Sequence, residues 1–395
     1  MTLARVRIRY PESPFRRAER PRPEQLCEPA QSLRNEAMTP SAPDPASPGG
    51  GDLLHRGWPP VSVVMPVLNE ERHLRTAVQH VLAQDYPGEI EVVIALGPST
   101  DRTDEIAHAL AAQDSRVRTV PNPSGKTPSA LNRAIAAARY GVIVRVDGHG
   151  MLPPDYVRIA VELLAETGAD NVGGIMHAEG TTPFEKAVAC AMSSPLGVGN
   201  ARFHTGGEEG PADTVYLGVF RRETLERLGG YDESFVRAQD WELNWRIRQA
   251  GGLVWFSPRL KVTYRPRPNL KALAKQYFNY GRWRRVVARL HKGSINFRYL
   301  APPTALLLIV AGTVAGVAGF PLGFVIPGGY LAGVLVGSLW IGRRLEPAAL
   351  VRLPLVIPTM HFSWAIGFLT SPARLVPGWE GKRPGEQTRP AREDA

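Results

Sequence analysis

Residues 61–71 read VSVVMPVLNEE, an apolar run of strand length that ends in a proline and then in polar residues. Short apolar runs recur at Glu91–Leu96, Arg116–Val120 and Gly141–Val146, and helical segments separate them. Strands that alternate with helices are typical of an open, mostly parallel β-sheet. The sequence therefore predicts an α/β fold with helices on both faces of the sheet.

The helical segments between these strands are predicted at Asn69–Gln84, at Asp101–Ala112 and from Thr127 onward. Thr127 and Pro128 suit the N-cap and the first position of the third helix. We expect one α/β domain over residues 59–268.

The residues before this domain have a different composition. Residues 1–58 are rich in Pro, Arg, Ser and Gly and lack helical or strand periodicity. They contain too few apolar residues to offset the entropy of ordering, so we predict a disordered tail. A basic tail that touches anionic lipid is the functional alternative.

A long stretch without ionisable side chains follows this α/β domain. Residues 299–342 contain no Asp, Glu, Lys, Arg or His. Since a membrane span needs about 20 apolar residues, we predict spanning helices near 303–320 and 324–342. A third apolar stretch, Leu353–Ala373, contains internal prolines and is either a kinked span or an interfacial, re-entrant segment.

Basic residues flank the two predicted spans on one side. They are Arg282, Arg284, Arg285, Arg289, Lys292 and Arg298 before the first span and Arg343, Arg344 and Arg352 after the second. Because basic residues favour the cytoplasmic side, we expect a multi-pass protein of the cell (inner) membrane whose α/β domain is cytoplasmic. Residues 269–300 are predicted as a basic amphipathic interfacial segment, 301–373 as the membrane region and 374–395 as a polar tail.

The overall composition excludes several classes of protein. The chain has 395 residues, with 47 Lys+Arg against 37 Asp+Glu and a formal net charge of +10. Much of this excess lies beside the apolar segments, so we interpret it as orienting and phosphate-binding charge and predict no nucleic-acid partner. The 2 cysteines cannot form a disulfide framework, and no Cys/His cluster has zinc-ligand spacing.

Polar residues follow the ends of three predicted strands. They are Asn69-Glu70 after the first, Gly97–Asp101 after the second and Asp147-Gly148-His149 after the fourth. Ligands of open parallel sheets bind at this edge. No glycine-rich dinucleotide motif or P-loop motif is present, which argues against a dinucleotide dehydrogenase and a P-loop NTPase.

Three groups of residues could carry chemistry. Asp147 and His149 could hold a divalent cation that bridges two phosphates, or could form an ordinary polar turn. Asp240 begins a predicted helix, where a carboxylate also stabilises the helix N-terminus. Arg282 and Trp283 could cover phosphates or lie on lipid headgroups. The residues alone leave both interpretations open in each case.

Seven short motifs occur in one order along the chain. They are VSVVMPVLNEE (Val61–Glu71), PSTD (Pro98–Asp101), GKTPSALN (Gly125–Asn132), VRVDGH (Val144–His149), Tyr231-Asp232, Gln239-Asp240 and Arg282-Trp283. Over residues 60–290 this pattern resembles the family 2 inverting glycosyltransferases of the GT-A fold, and it is similar to their membrane-bound exopolysaccharide members of the succinoglycan type. The resemblance implies a Rossmann-like GT-A catalytic domain followed by C-terminal transmembrane helices.

The resemblance also implies roles for individual residues. Asp240 would be the general base that takes the proton from the acceptor hydroxyl, and Asp147 and His149 would bind Mg²⁺ or Mn²⁺ on the diphosphate. The implied contacts to the nucleotide sugar are Pro66, Asn69, Glu70, Asp101, Lys126, Asn132, Asp147, Arg282 and Trp283.

The chain departs from the family pattern at four places. Leu96 stands where an Asp usually contacts the uracil, and Gln239 replaces the Glu before the general base. His149 is a softer ligand than a carboxylate, which favours Mn²⁺ relative to Mg²⁺. Gln276 precedes Arg282 at twice the usual spacing, so the Gln-x-x-Arg-Trp match is partial.

The predicted activity is the transfer of a sugar, with inversion, from a nucleotide-diphosphate sugar to a hydroxyl of a lipid-linked or polysaccharide acceptor. A polyprenyl-phosphate sugar synthase, whose acceptor is a phosphate, is one alternative. A catalytically inactive, membrane-tethered binding module is another. Leu96 and Gln239 would support that second alternative, whereas intact Asp147, His149 and Asp240 oppose it.

Overall fold

The computed structural model describes Leu54 and residues 57–377. The predicted disordered tail at 1–58 lies almost entirely outside the described residues, as does most of the predicted polar tail at 374–395. One eight-stranded sheet forms the centre of the described part. Its strands are β1 (Val61–Val67), β2 (Ile90–Leu96), β3 (Val117–Pro121), β4 (Val142–Arg145), β5 (Asn171–Ala178), β6 (Gly210–Pro211), β7 (Tyr216–Arg221) and β8 (Val254–Tyr264).

The strands have the order β3-β2-β1-β4-β7-β5-β8-β6 across the sheet. The first four in this order are parallel, β7 runs antiparallel between β4 and β5, and β5 pairs in parallel with β8. The predicted α/β fold with a mostly parallel sheet is confirmed. The strand order reverses at β1, so the carboxyl ends of β1 and β4 border the crevice where such sheets bind ligands.

Helices cover both faces of the sheet, as predicted. On one face α1, α2 and α4 pack against the strands, and on the other α3, α8 and α9 do so. Each presents apolar residues at helical spacing, such as Leu74, Ala77, Val78 and Val81 of α1. The helices are α1 (Leu74–Leu82), α2 (Thr103–Gln113), α3 (Thr127–Ala137), α4 (Tyr156–Thr167), α5 (Pro183–Met192), α6 (Pro195–Val198), α7 (Arg202–Thr205), α8 (Arg222–Arg227), α9 (Gln239–Gln249), α10 (Leu270–Leu290), α11 (Phe297–Val317), α12 (Val325–Ile341), α13 (Pro347–Leu350) and α14 (Leu353–Leu369).

The first helix begins at Leu74, so the predicted start at Asn69 is wrong. Asn69 has a φ of 58°, in the left-handed region that asparagine tolerates. Its side-chain oxygen accepts a hydrogen bond from the N–H of Thr100 at 2.8 Å. A turn therefore replaces the first helical turn and brings Glu70 to the sheet edge. In α3 the N-cap position is Lys126, and Thr127 is the first helical residue instead of the predicted cap.

Three of the described helical segments are long and apolar enough to cross a membrane. They cover Phe297–Val317, Pro321–Ile341 and Pro347–Leu369. The first starts before the predicted residue 303, so that its first turn includes Arg298. Large apolar side chains such as Leu307 are exposed on the first two segments, as expected for surfaces that face lipid.

The third apolar segment packs closely against α10. A Cβ at Gly281 of α10 would lie 1.9 Å from the carbonyl oxygen of Trp364, and one at Gly367 of α14 would lie 2.0 Å from that of Phe278. Only glycine permits this separation of the two backbones. The helices run side by side in the same direction, so α14 forms one unit with α10 of the preceding region.

Candidate active site

A cavity of about 970 Å³ lies at the carboxyl edge of β1 and β4. One wall consists of the ends of these strands and the start of α9, and the opposite wall consists of α10, α11 and α14. The cavity therefore extends from the sheet edge to the apolar helices. The predicted site residues that line it are Pro66, Glu70, Asp147, His149, Asp240 and Trp283.

Asp147 and His149 follow β4 and meet Glu70 from the turn after β1. Nδ1 of His149 lies 2.7 Å from Oε1 of Glu70, so Nε2 is the nitrogen left for a ligand. This hydrogen bond raises the pKa of the His149 imidazole against the opposing effect of burial. A Cβ at Gly148 would lie 2.8 Å from the side chain of Val67. Glycine between the two polar residues thus lets the β4 end approach β1.

A buried arginine joins two of the predicted site carboxylates. The Arg145 side chain, on β4, is 6% exposed. Its Nη2 donates to Oδ1 of Asp147 at 3.0 Å, and its Nη1 donates to Oδ1 of Asp240. Burial opposes the charge on Arg145, but the negative charge of Asp147 raises its pKa. The charged guanidinium therefore holds both carboxylates at the cavity wall.

Asp240 lies in the first turn of α9, which begins at Gln239. The preceding Ala238 has a φ of 62°, and this left-handed residue turns the chain into the helix. In the described structure the Asp240 carboxylate bonds Arg145 and does not cap the N–H groups of the helix. Its side chain is 37% exposed, which leaves it accessible to a substrate in the cavity.

Asn69 and Asp101 hold two loops together outside the cavity lining. Asp101 accepts hydrogen bonds from the N–H groups of Glu71 at 3.2 Å and Thr103 at 3.0 Å. The side-chain hydrogen bond from Thr103 lowers the pKa of Asp101. These bonds, with that of Asn69, fix the turn that carries Glu70. Their predicted contacts to the nucleotide sugar stay predictions.

Lys126 and Asn132 also lie outside the lining of the cavity. Asn132 is 1% exposed, and its amide both donates to the carbonyl oxygen and accepts from the N–H of Tyr231, each at 2.8 Å. These bonds secure the turn that leads to α9. A contact between the Asn132 side chain and a nucleotide would break them. Lys126 is exposed and adjoins Thr127, which lines the cavity.

The predicted pair Arg282 and Trp283 occupies adjacent positions of α10, and the two side chains point in different directions. Trp283 lines the cavity, whereas the Arg282 guanidinium lies outside it, 5.2 Å from the ring centre of Phe278. Arg284 lines the cavity in its place. The structure therefore brings Trp283 and Arg284, and not Arg282, to the other site residues.

The residues at the end of β4 fit a divalent cation that is shared with a substrate. Within the described residues no three His, Cys, Asp or Glu side chains form a group that could hold a metal. Asp147 and His149 offer one carboxylate and one imidazole, and Glu70 orients the ring as an outer partner. Such a pair would leave further coordination positions of a cation open to oxygen ligands from outside the protein.

Sequence reasoning assigned no role to Arg145, although a signal was present. Arg145 is a charged residue inside the apolar strand between Val142 and Val146, and a buried charge needs partners. Tyr216 and Tyr280 also line the cavity. They come from β7 and α10, and no local pattern marks them as neighbours.

Comparison with known proteins identifies the family of the chain. The model of the family described as Glycosyl transferase family 2 matches residues 62–229. The succinoglycan biosynthesis protein ExoA of Rhizobium meliloti (strain 1021) is 35% identical over 311 residues, which cover 78% of this chain and 93% of that protein.

More distant relatives cover a similar share of the chain. A dolichyl N-acetyl-alpha-D-glucosaminyl phosphate 3-beta-D-2,3-diacetamido-2,3-dideoxy-beta-D-glucuronosyltransferase of Methanococcus voltae is 23% identical over 318 residues, 78% of this chain and 95% of that protein. A solved structure of the mannosyltransferase PcManGT from Pyrobaculum calidifontis, in complex with GDP-Man and Mn²⁺, has a TM-score of 0.51 at 21% identity. It covers 84% of this chain and 89% of that one. The chain thus has the GT-A fold, belongs to glycosyl transferase family 2 and is a glycosyltransferase related to ExoA.

Proposed function

We propose that the protein transfers a sugar, with inversion, from a nucleotide-diphosphate sugar to a hydroxyl of a lipid-linked or polysaccharide acceptor. The observation that carries this proposal is the pairing of Asp147 and Asp240 through Arg145 in one cavity that ends at apolar helices. The name of ExoA, succinoglycan biosynthesis, supports an exopolysaccharide product. GDP-Man and Mn²⁺ in the mannosyltransferase support a nucleotide-sugar donor and a divalent ion.

Asp240 acts as the general base in this proposal. Its carboxylate takes the proton of the acceptor hydroxyl, whose oxygen attacks the anomeric carbon on the face opposite the diphosphate. The bond between that carbon and the diphosphate breaks, and the nucleoside diphosphate leaves. Base assistance of this kind contributes about 10²–10⁴-fold to the rate. Arg145 orients the carboxylate.

Asp147 and His149 hold the donor diphosphate at the other end of the Arg145 bridge. A divalent cation bound there would neutralise the charge that develops on the leaving group. Glu70 keeps the His149 ring in position through Nδ1. Trp283, 8% exposed, closes the wall opposite the strand ends.

The location of the reaction is also part of the proposal. The catalytic domain precedes the first apolar helix, and Arg343 and Arg344 follow the second. If both helices cross the membrane, the domain and these two arginines lie on the same side of it. Since such charges favour the cytoplasmic side, the cavity lies at the inner face of the cell membrane.

Replacement of the base tests the proposal directly. Asp240→Asn should retain nucleotide binding and lower the rate of transfer by about 10²–10⁴-fold. Purified protein with UDP-, GDP- and dTDP-sugars and a membrane lipid extract provides the assay, followed by linkage analysis of the product.

Glu223→Gln is the matched control, because Glu223 is a first-turn carboxylate of α8 outside the cavity. Turnover of Asp240→Asn at the wild-type rate would refute the assignment of the base. A sugar phosphodiester of a lipid phosphate, instead of a new sugar–sugar bond, would identify a polyprenyl-phosphate sugar synthase.

A further inference from the structure

The apolar helices present positive charge to the cavity. The lining carboxylates Glu70, Asp147 and Asp240 all lie at the sheet edge. On the opposite wall, Arg284 of α10 and Arg298 in the first turn of α11 line the cavity. The two walls therefore suit groups of different charge.

Arg284 is held in place by two aromatic rings. Its guanidinium carbon lies 4.2 Å from the ring centre of Trp241 and 4.3 Å from that of Tyr299. Within residues 57–377 its Nη1 is buried and has no hydrogen-bond partner. An unpaired buried N–H of a charged group is costly, so a ligand with acceptor oxygens would stabilise this arrangement.

Arg298 approaches the same tyrosine from the start of α11. Its guanidinium carbon lies 4.8 Å from the ring centre of Tyr299, and its Nη2 donates to Oη of Tyr299 at 2.6 Å. Its Nε is buried and unpaired in the described part of the chain. The half-exposed carboxylate of Asp213 is 3.8 Å away. Arg284 and Arg298 thus form a pair of cations on one aromatic ring.

The neighbouring His204 adds no charge to this pair. It lines the cavity, and burial, reinforced by the charge of Arg298, lowers its pKa to about 3. The imidazole is therefore neutral at physiological pH, and the local charge comes from the guanidinium groups.

We propose that Arg284 and Arg298 bind the phosphate or diphosphate group of a lipid-linked acceptor. Planar guanidinium groups match phosphate oxygens in pairs. Arg284 contacts Trp241, the residue after Asp240, so a headgroup held there places the sugar that it carries beside the base. Beyond the headgroup the lining continues through Ala305, Tyr330 and Met360 of α11, α12 and α14, where a hydrocarbon chain fits.

This inference rests on the proposed glycosyl transfer and narrows its acceptor to an anionic lipid. The donor diphosphate is the other anion expected in the cavity, but its predicted site at Asp147 and His149 is on the wall of strand ends, whereas Arg284 and Arg298 belong to the wall of α10 and α11. One set of variants can therefore separate the two sources of phosphate.

The experiment measures binding to the full-length protein in detergent micelles through its tryptophan fluorescence. The probe is geranylgeranyl diphosphate. Geranylgeraniol is the control ligand that has the same hydrocarbon chain but no charged group, and inorganic pyrophosphate is the control ligand that has the charged group but no chain. Arg284→Gln should weaken binding of the probe by about 10- to 100-fold, as expected for loss of a charge-assisted hydrogen bond. Arg298→Gln should do the same, and Arg284→Lys should retain part of the affinity.

Arg285→Gln is the matched control on the same helix. The Arg285 guanidinium lies 4.9 Å from the ring centre of Phe368, outside the cavity, so its loss should leave binding of the probe unchanged. Binding of UDP and GDP in the presence of Mn²⁺ is measured for each variant. Arg284→Gln should retain this nucleotide binding, and the retained binding would also show that the variant is folded.

Two results would overturn the headgroup site. One is equal affinity of the wild type for geranylgeraniol and for its diphosphate. The other is a loss of nucleotide affinity in Arg284→Gln with unchanged affinity for the probe, because the guanidinium would then serve the donor. Wild-type protein that binds the probe but no nucleotide would instead refute the proposed function and leave the headgroup site standing.

Discussion

At the scale of single residues, Arg145 contacts both carboxylates to which the proposed reaction assigns a role. It donates to the carboxylate that is proposed to hold the donor and to the carboxylate that is proposed to activate the acceptor. A buried cation depends on the acids that surround it, and the loss of either one destabilises it. Arg145 therefore couples the geometry of Asp147 to that of Asp240.

Arg145→Gln removes this cation. Because Asp147 and Asp240 are 25% and 37% exposed, water compensates part of the loss, and the free energy of unfolding should fall by about 1–3 kcal/mol. Misorientation of Asp240 should lower kcat by about 10- to 100-fold. Thermal unfolding and initial rates measure the two effects.

Arg145→Lys is the companion variant, since it keeps the charge but cannot donate to two carboxylates as a fork. Compared with Arg145→Gln, Arg145→Lys should recover a larger share of the wild-type free energy of unfolding than of the wild-type kcat. Wild-type kcat in Arg145→Gln would contradict the role of this residue in orienting the base.

Glu91 on β2 provides a prediction about pH. It accepts hydrogen bonds from Ser62 at 2.6 Å, from Arg118 at 2.9 Å and from both the N–H, at 2.6 Å, and Nε, at 2.8 Å, of Arg139. Burial alone would raise its pKa, but these bonds lower it to about 2 from 4.5. A lowered pKa stabilises the fold above the unfolded value and loses this contribution as the pH falls towards 2.

Glu91→Gln should therefore lower the free energy of unfolding by about 2–4 kcal/mol at pH 7. The difference from wild type should narrow as the pH falls from 4.5 towards 2. Denaturant unfolding in micelles at several pH values measures it. Glu105→Gln, whose carboxylate is 73% exposed, should change little, and a gap that stays constant with pH would contradict the assignment.

The residues predicted from the sequence differ in how well their position could be foreseen. Asp147 and His149 directly follow a predicted strand, so the sequence alone predicts at which edge of the sheet they lie. Arg282 and Arg284 are both in a run of basic and aromatic residues on a helix, where the pattern does not decide which faces the cavity. Only the packing of α10 on α14 selects Arg284.

At the scale of elements, the contact between α10 and α14 controls one wall of the cavity. Gly281→Ala would place a Cβ 1.9 Å from the carbonyl oxygen of Trp364 and force the helices apart. We expect a loss of about 1–3 kcal/mol and a fall in activity, since Trp283 and Arg284 would move with α10. Thermal unfolding and transfer rates in micelles measure both.

The control for this variant is Gly333→Ala on α12, where an added Cβ meets no atom within 4 Å. It should be neutral or slightly stabilising because alanine favours a helix over glycine. Equal effects of the two substitutions would contradict a specific role of the contact.

The order of elements followed from the sequence more fully than their pairing. Alternating apolar runs predict β1 to β4 because each is short and bounded by polar turns. The insertion of β7 between β4 and β5 depends on pairing between residues far apart in the chain, such as Val144 with Val219, which no local pattern encodes. The late start of α1 likewise depends on the bond between Asn69 and Thr100.

At the scale of the whole molecule, α14 is tied to the catalytic domain near its start and to α10 beyond its end. Near its start Lys186 of α5 lies 3.1 Å from Glu346, and beyond its end Ser371 donates to the carbonyl oxygen of Arg282 at 2.9 Å. A helix that crossed the bilayer would separate its ends onto opposite sides. This arrangement favours the interfacial alternative for the third apolar segment.

We therefore expect two spans, with residues after α14 on the side of the catalytic domain. Phe320→Cys, in the turn between α11 and α12, should react with a membrane-impermeant maleimide in intact spheroplasts. Arg374→Cys should react only after the membrane is opened. Both variants are made with Cys27 and Cys190 replaced by Ser. Reaction of both positions in intact spheroplasts would instead demonstrate three spans.

The glycine contact between α10 and α14 has a practical consequence for any attempt to obtain a water-soluble enzyme. A truncation that ends before α11 keeps every predicted motif from Val61 to Trp283 but uncovers the α10 surface around Gly281. It also removes the α11 and α14 walls of the cavity. The shortened protein would expose apolar surface and lack these two walls, so we expect the smallest active unit to include α14.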